Sequence, residues 1–189
     1  MSRAGAHAGV LSSGARYAVE APGSWNGVLV LYSKPVPVGP DDPPWQPGDP
    51  LIGHLVASGY AVAGSTNTIF WPLESAFSDQ PALLDIVDQV LGPPRHTIGF
   101  GLSIGGIMTA GLVQRFPERL SGALPMCGNL AGAVGVHNRE LDIAFVVKTL
   151  LAPDSALQLV DVRDPDENLA LAHAVLRDAQ ASPAGRARL

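Results

Sequence analysis

The segment Gly101-Leu102-Ser103-Ile104-Gly105-Gly106 carries residue types at a spacing that can do chemistry. A serine flanked by Gly101 and Gly105 fits a sharp strand-to-helix turn, because glycine has no Cβ to clash where the two elements close on each other. Held there, the Ser103 hydroxyl projects into solvent at the C-terminal edge of a sheet. The Ile104 N–H then opens a helix, where unpaired donors and the helix dipole stabilise a developing oxyanion. A serine so placed attacks a carbonyl carbon. With 21 glycines in 189 residues, Gly-x-Ser-x-Gly alone is weak, so the flanks carry the assignment. Residues 97–100 read as a buried strand, and Ile104 to Arg115 reads as a helix stopped by Pro117. A dinucleotide-binding turn fails at two points. Gly99 and Gly101 begin that fingerprint, but Ile104 fills the third glycine position, and Cys127 stands where an acidic ribose ligand would follow the next strand.

The elements that must position this turn alternate strand and helix, which predicts an α/β fold: a mostly parallel sheet with flanking helices. Residues 15–21 alternate like an edge strand, and residues 27–33 are a continuous apolar run suited to a buried one. Residues 35–50, dense in proline and acid, read as an irregular loop over a sheet edge. A helix is expected over 50–58 and a strand over 59–64. A further helix opens at Ser78-Asp79-Gln80-Pro81, with Leu84, Val87 and Leu91 on one face. Residues 121–127 read as a strand ending at the same sheet edge as Ser103. Beyond it, residues 140–151 are apolar on every side, which predicts a helix buried between surfaces. Asp164-Pro165 with Glu167, and then Ser182-Pro183, are helix starts.

Composition narrows the classes of function. The chain has a net charge of −5, is 47% hydrophobic and is only 15% charged, which suits one buried core. No Lys/Arg run is present, so neither nucleic acid nor an anionic membrane surface is expected as a partner. No apolar run reaches the roughly 18 residues of a membrane span, and residues 1–7 lack a signal-peptide core, so a cytoplasmic location is expected for the chain as given. Cys127 is the single cysteine; it forms no intrachain disulfide and is expected to pack as a small hydrophobe. Neither a cofactor nor a metal is called for.

Three segments, Trp25-Asn-Gly-Val-Leu-Val-Leu-Tyr-Ser33, Gly101-Leu-Ser-Ile-Gly-Gly106 and Gly122-Ala-Leu-Pro-Met-Cys-Gly128, together resemble the N-terminal part of an α/β-hydrolase, after the manner of bacterial serine esterases and lipase-like hydrolases. The resemblance implies a partial α/β-hydrolase core over residues 1–128 and the start of a helical insertion, or cap, over 129–189. It implies a small-molecule carboxylic ester as substrate, Ser103 as nucleophile and the Ile104 N–H as one oxyanion donor. The second donor normally follows a His-Gly pair after the third strand, where this chain has Ser33-Lys34-Pro35-Val36. Pro35 has no N–H, which leaves Lys34 or Val36. The resemblance also calls for an acid and then a histidine on two strands after the insertion. Neither strand is evident, so the expectation is a chain without its Asp/His half, through truncation, a split gene or a partner polypeptide, and with little activity alone. Self-association through the unfilled sheet edge is expected. The alternative is a non-catalytic remnant that binds a small apolar ligand or a partner chain at that edge.

Five histidines could replace the missing base. His96 lies at the far end of the strand from Ser103, seven steps or roughly 23 Å away at about 3.3 Å each. His7 falls in a tail, His54 on a helix and His173 within a helical pattern. Pairing His173 with Asp164 fails, because nine residues leave no room for a helix and another strand. His137 follows a strand that ends at the nucleophile's edge and is the candidate base, with Asp142 to orient it. Trp45, Phe70 and Trp71 are candidates for an acyl pocket or for ordinary packing.

Overall fold

The structure is a computed structural model that describes residues 5–35, 43–66 and 73–189. Val36, Phe70 and Trp71 lie outside the described residues. The chain forms two compact units, Met1–Leu130 and Ala131–Leu189.

The first unit runs β1 (Gly5–Val10), β2 (Arg16–Ala21), β3 (Val28–Ser33), α1 (Pro50–Ala57), β4 (Ala61–Ser65), α2 (Leu73–Val90), β5 (His96–Leu102), α3 (Ile104–Arg115), a 3-10 turn at Pro117–Arg119 and β6 (Gly122–Met126). Its six strands lie in the order β1-β2-β4-β3-β5-β6. β3 pairs in parallel with β4 on one side and β5 on the other, and β6 extends the parallel set. A strand covered on both faces needs no polar alternation, which is why β3 reads Val-Leu-Val-Leu-Tyr-Ser. Leu29 and Leu31 join Ala61 and Ala63 under Leu83, Leu84 and Val87 of α2 and Leu112 of α3. Val30, Tyr32 and Val62 face the other way, onto Ile52 of α1 and Trp45. Odd-numbered core positions of β3 and β4 therefore meet α2 and α3, and even-numbered ones meet α1.

Two expectations change here. β2 is not an edge strand, because β1 pairs antiparallel along its whole length, from Gly5 opposite Ala21 to Val10 opposite Arg16. β1 is Gly-Ala-His-Ala-Gly-Val, without the branched and aromatic residues that mark strands. Its small residues have a steric cause at Gly9, where a Cβ would fall 2.7 Å from the Tyr17 hydroxyl. The second change is that α2 is already helical at Leu73, which puts Pro81 inside it. Pro81 has no N–H for the Phe77 carbonyl and costs about 3 kcal/mol in a helix interior. Burial of Leu83, Leu84 and Val87, at about 1.5–3 kcal/mol each, outweighs that loss.

Pro81 also follows two buried polar residues, Asp79 and Gln80. Burial pushes the Asp79 carboxyl above its ordinary value, and a hydrogen bond from Ser13 draws it part of the way back. Folding therefore favours the protonated acid. The destabilisation is absent below the unfolded value, and it grows as pH rises from there through the raised folded value. Asp79→Asn, which keeps the polar contact without the charge, is expected to raise the melting temperature at neutral pH. The gain should shrink to nothing as the medium is acidified through the carboxylate range. Melting curves across that range check it; a gain independent of pH would remove the burial of charge as its cause.

β6 forms the other edge of the sheet. Among the described residues no strand pairs with its outer side, and Leu124 and Met126 are 52% and 42% exposed.

The second unit is α4 (Gly132–Leu151), α5 (Pro165–Ala181) and α6 (Pro183–Arg186). Asp164 caps α5 by accepting from the Glu167 N–H at 2.9 Å, and Ser182 caps α6 by accepting from the Gly185 N–H at 2.9 Å. Residues 157–162 form no strand. The Asn168 side chain instead brackets the Gln158 backbone, accepting from its N–H at 2.8 Å and donating to its carbonyl at 3.0 Å. The expected burial of residues 140–151 is also corrected. They are helical, but Ile143 and Phe145 are each 57% exposed and Val146 is 50% exposed. Their apolar groups ring the helix, and α5, the helix packed on α4 within this unit, covers one stripe.

Candidate active site

β5 ends at Leu102, α3 begins at Ile104, and Ser103 alone makes the turn between them, with φ 58° and ψ −119°. Such a backbone lies outside the regions open to ordinary L-residues and costs about 1–3 kcal/mol. The surrounding chain holds it there. The Ser103 N–H donates to the Met126 carbonyl at the end of β6 (2.9 Å), and the Ser103 carbonyl accepts from Gly106 (2.8 Å) and Ile107 (3.3 Å) to start the helix. The half-buried Ser103 side chain makes no capping hydrogen bond. Ile104 is the first helical residue, so its N–H has no partner within the helix.

The glycines around the serine are required by close approach. A Cβ on Gly105 would collide with the Ser33 carbonyl oxygen and crowd that of Lys34. On Gly101 it would collide with the Gly105 carbonyl, and on Gly106 it would fall 2.8 Å from the Met126 carbonyl oxygen. The first turn of α3 is thus seated against the ends of β3, β5 and β6 at once. Gly106 and its neighbour across the contact, Gly128, belong to the segments that carry the resemblance, and their close approach arises only once α3 is set against the end of β6.

The positions proposed around Ser103 fare differently. Lys34 follows β3 directly, is buried, and donates from Nζ to the Pro43 carbonyl at 2.8 Å. Trp45 packs on Tyr32, with ring centroids 6.5 Å apart, and donates from Nε1 to Glu20 at 2.8 Å. Tyr32 in turn stacks on Phe100 at 5.7 Å, so Trp45 caps the α1 side of the core. Cys127 does not pack as a small hydrophobe: it is exposed and has φ 51°, a left-handed step that breaks the strand's alternation just after β6.

Within the first unit, no histidine lies at the Ser103 end of the sheet. His7 is in β1, His54 is exposed on α1, and His96 opens β5 at the opposite end, with Nδ1 3.4 Å from the Ser121 hydroxyl. In the second unit, His137 is exposed on α4 with Nδ1 3.3 Å from Glu140 Oε2. Asp142 is not its orienting partner. Five residues along a helix turn it about 140° away, whereas three bring Glu140 onto the same face. Asp164 and His173 sit on one helix, nine residues or about 13 Å apart along its axis, and form no pair. No group of three His, Cys, Asp or Glu among the described residues is placed to hold a metal ion, and no described helix is long and apolar enough to cross a membrane.

No family model matches the chain, and no curated protein matches its sequence. Solved structures do match its fold. A cold-adapted esterase from an Arctic intertidal metagenomic library superposes with a TM-score of 0.51 at 20% identity, covering 74% of this chain and 65% of its own. A probable hydrolytic enzyme from Pseudomonas aeruginosa PAO1 gives a TM-score of 0.50 at 13% identity, covering 91% of this chain and 60% of its own. The chain thus spans less than two thirds of either. At these identities the likeness is one of fold, and the fold is that of the α/β-hydrolases: a mixed sheet of six mostly parallel strands with flanking helices.

Proposed function

We propose that this chain is a serine hydrolase acting on carboxylic esters, with Ser103 as its nucleophile. The observation that carries the proposal is the Ser103 backbone, held at φ 58° between a strand and a helix whose first N–H is free to meet an oxyanion. In the proposed reaction Ser103 Oγ bonds to the ester carbonyl carbon as its proton passes to a base. The carbonyl electron pair moves onto oxygen, where the Ile104 N–H and a second donor, the N–H of Lys34 or Val36, bind it. Collapse expels the alkoxide, which takes up the proton, and water then hydrolyses the acyl-serine by the same steps. That one fold neighbour is described as an esterase favours an ester over other acyl substrates.

A serine without a base is a weak nucleophile. His137 is the base proposed from within this chain, with Glu140 as its hydrogen-bonding partner. The competing arrangement, favoured by the open side of β6, takes its acid and histidine from strands of a further segment or partner polypeptide paired along that edge. In that case the chain alone turns over slowly.

Labelling with a fluorophosphonate, located by peptide mass spectrometry, tests the proposal. Ser103 should carry the label and Ser103→Ala should take none. His137→Ala should slow p-nitrophenyl ester turnover about 100-fold or more if His137 is the base, and leave it unchanged if the base comes from elsewhere. A folded wild-type chain that takes no label would instead support the second reading, a non-catalytic scaffold that binds a ligand or partner at β6.

A further inference from the structure

We propose that one buried water molecule, held by Ser33, Gln80 and Thr109, supports the Ser103 turn from beneath, and that these three are positioning residues for the nucleophile. The inference deepens the ester-hydrolase reading and rests on it for the role of Ser103, while its structural part stands without it. Ser33 pairs with Gly101 across β3 and β5. Tyr32 pairs with Gly64 across β3 and β4, so the next step of the register brings Ser33 beside Ser65. Ser65, Ser33 and Gly101 therefore form one row across three strands. It lies on the α2 and α3 side, one layer above Leu31 and Ala63 and two residues short of Ser103 along β5.

The helices complete the row. A Cβ on Gly101 would collide with Thr109 Oγ1, so the threonine hydroxyl of α3 lies where Gly101 has no side chain. From α2, Gln80 Nε2 donates to Ser65 Oγ at 3.1 Å. All of these side chains are buried, with Ser33 and Gln80 each 1% exposed and Thr109 0%. Yet Ser33 Oγ, Gln80 Oε1 and Thr109 Oγ1 have no hydrogen-bond partner among the described residues. Native interiors avoid such orphaned oxygens, and three in one row point to a shared partner. Spacing identifies it. Thr109 Oγ1 stands in the place of a Gly101 side chain, one strand or about 4.8 Å across from Ser33, too far for a direct bond at about 2.8 Å and near the span that one bridging water covers.

One water satisfies all three oxygens. It donates one hydrogen to Gln80 Oε1 and accepts from the Ser33 and Thr109 hydroxyls, the three bonds typical of a buried water. It then joins β3, α2 and α3 one turn below the point where Gly105 meets the Ser33 carbonyl. A strained residue keeps its conformation only where its surroundings over-determine it, and this tie supplies that constraint for Ser103.

A crystal structure of the whole chain should show one water within hydrogen-bonding distance of all three side chains. Thr109→Val, which keeps the shape and removes the hydroxyl, should speed amide hydrogen exchange at Gly106 and Ile107, whose N–H groups donate to the Ser103 carbonyl, about tenfold and slow fluorophosphonate labelling of Ser103 by a similar factor. Thr109→Ser should restore both, which a purely volumetric role for the threonine would not predict. An ordered structure with direct contacts in place of the water, or exchange in Thr109→Val equal to wild type, overturns the proposal. If the wild type takes no label, the hydrolase reading fails by itself, and density and exchange still decide the water.

Discussion

Gly105→Ala is expected to destabilise the protein by at least about 3 kcal/mol and to slow labelling of Ser103 at least about 100-fold. The added methyl would collide with the Ser33 carbonyl oxygen and crowd that of Lys34. Neither can retreat easily, because Ser33 ends the central strand, which is paired on both sides. The first turn of α3 must move instead, carrying with it the Ile104 N–H and the Ser103 carbonyl that starts the helix. Gly53→Ala on α1 is the control, since its Cβ would meet nothing within 4 Å and alanine is the better helix former. Urea unfolding and probe kinetics on the two variants give the comparison. Equal stability of Gly105→Ala and wild type would mean that helix and strand do not approach as described.

Ser103→Gly carries the second large effect, in opposite directions for stability and reactivity. Glycine adopts a positive φ without penalty, so this variant should be about 1 kcal/mol or more stable than Ser103→Ala, which keeps the strained backbone. Both should take no label. The difference between the two variants isolates backbone strain from loss of the hydroxyl, and the wild type should melt near the alanine variant. If Ser103→Gly unfolds at the same urea concentration as Ser103→Ala, the turn stores no strain.

What was legible in the sequence followed from punctuation and period. α3 begins and ends where Gly105 and Pro117 predict, and β3, β4, β5 and β6 fall within a few residues of their apolar runs. β1 was illegible because its partner, not its composition, makes it a strand. Pro81 reads as a helix start, since nothing local reveals that Ala76 before it and Leu83 and Val87 after it are buried and hold one helix together across it. The apolar surface of α4 was read as buried because periodicity reports which residues are apolar, not whether a neighbour covers them. At the site, the turn was legible through Gly101 and Gly105. The polar row of Ser33, Ser65 and Thr109 was not, because it exists only once strands that begin at Val28, Ala61 and His96 are set in register.

That register also orders events during synthesis. Val28 pairs with His96, 68 positions later (96 − 28), so the central strand cannot gain its second partner until β5 has left the ribosome. At about 5–20 residues per second, the interval is roughly 3–14 s. Throughout it, Val-Leu-Val-Leu-Tyr presents an unpaired edge with one apolar face still uncovered by α3, the kind of segment that joins a neighbouring nascent chain. A strand buried from Leu29 to Ser33 in the finished molecule is thus vulnerable in its making, and slower translation between β4 and β5 lengthens that exposure in proportion.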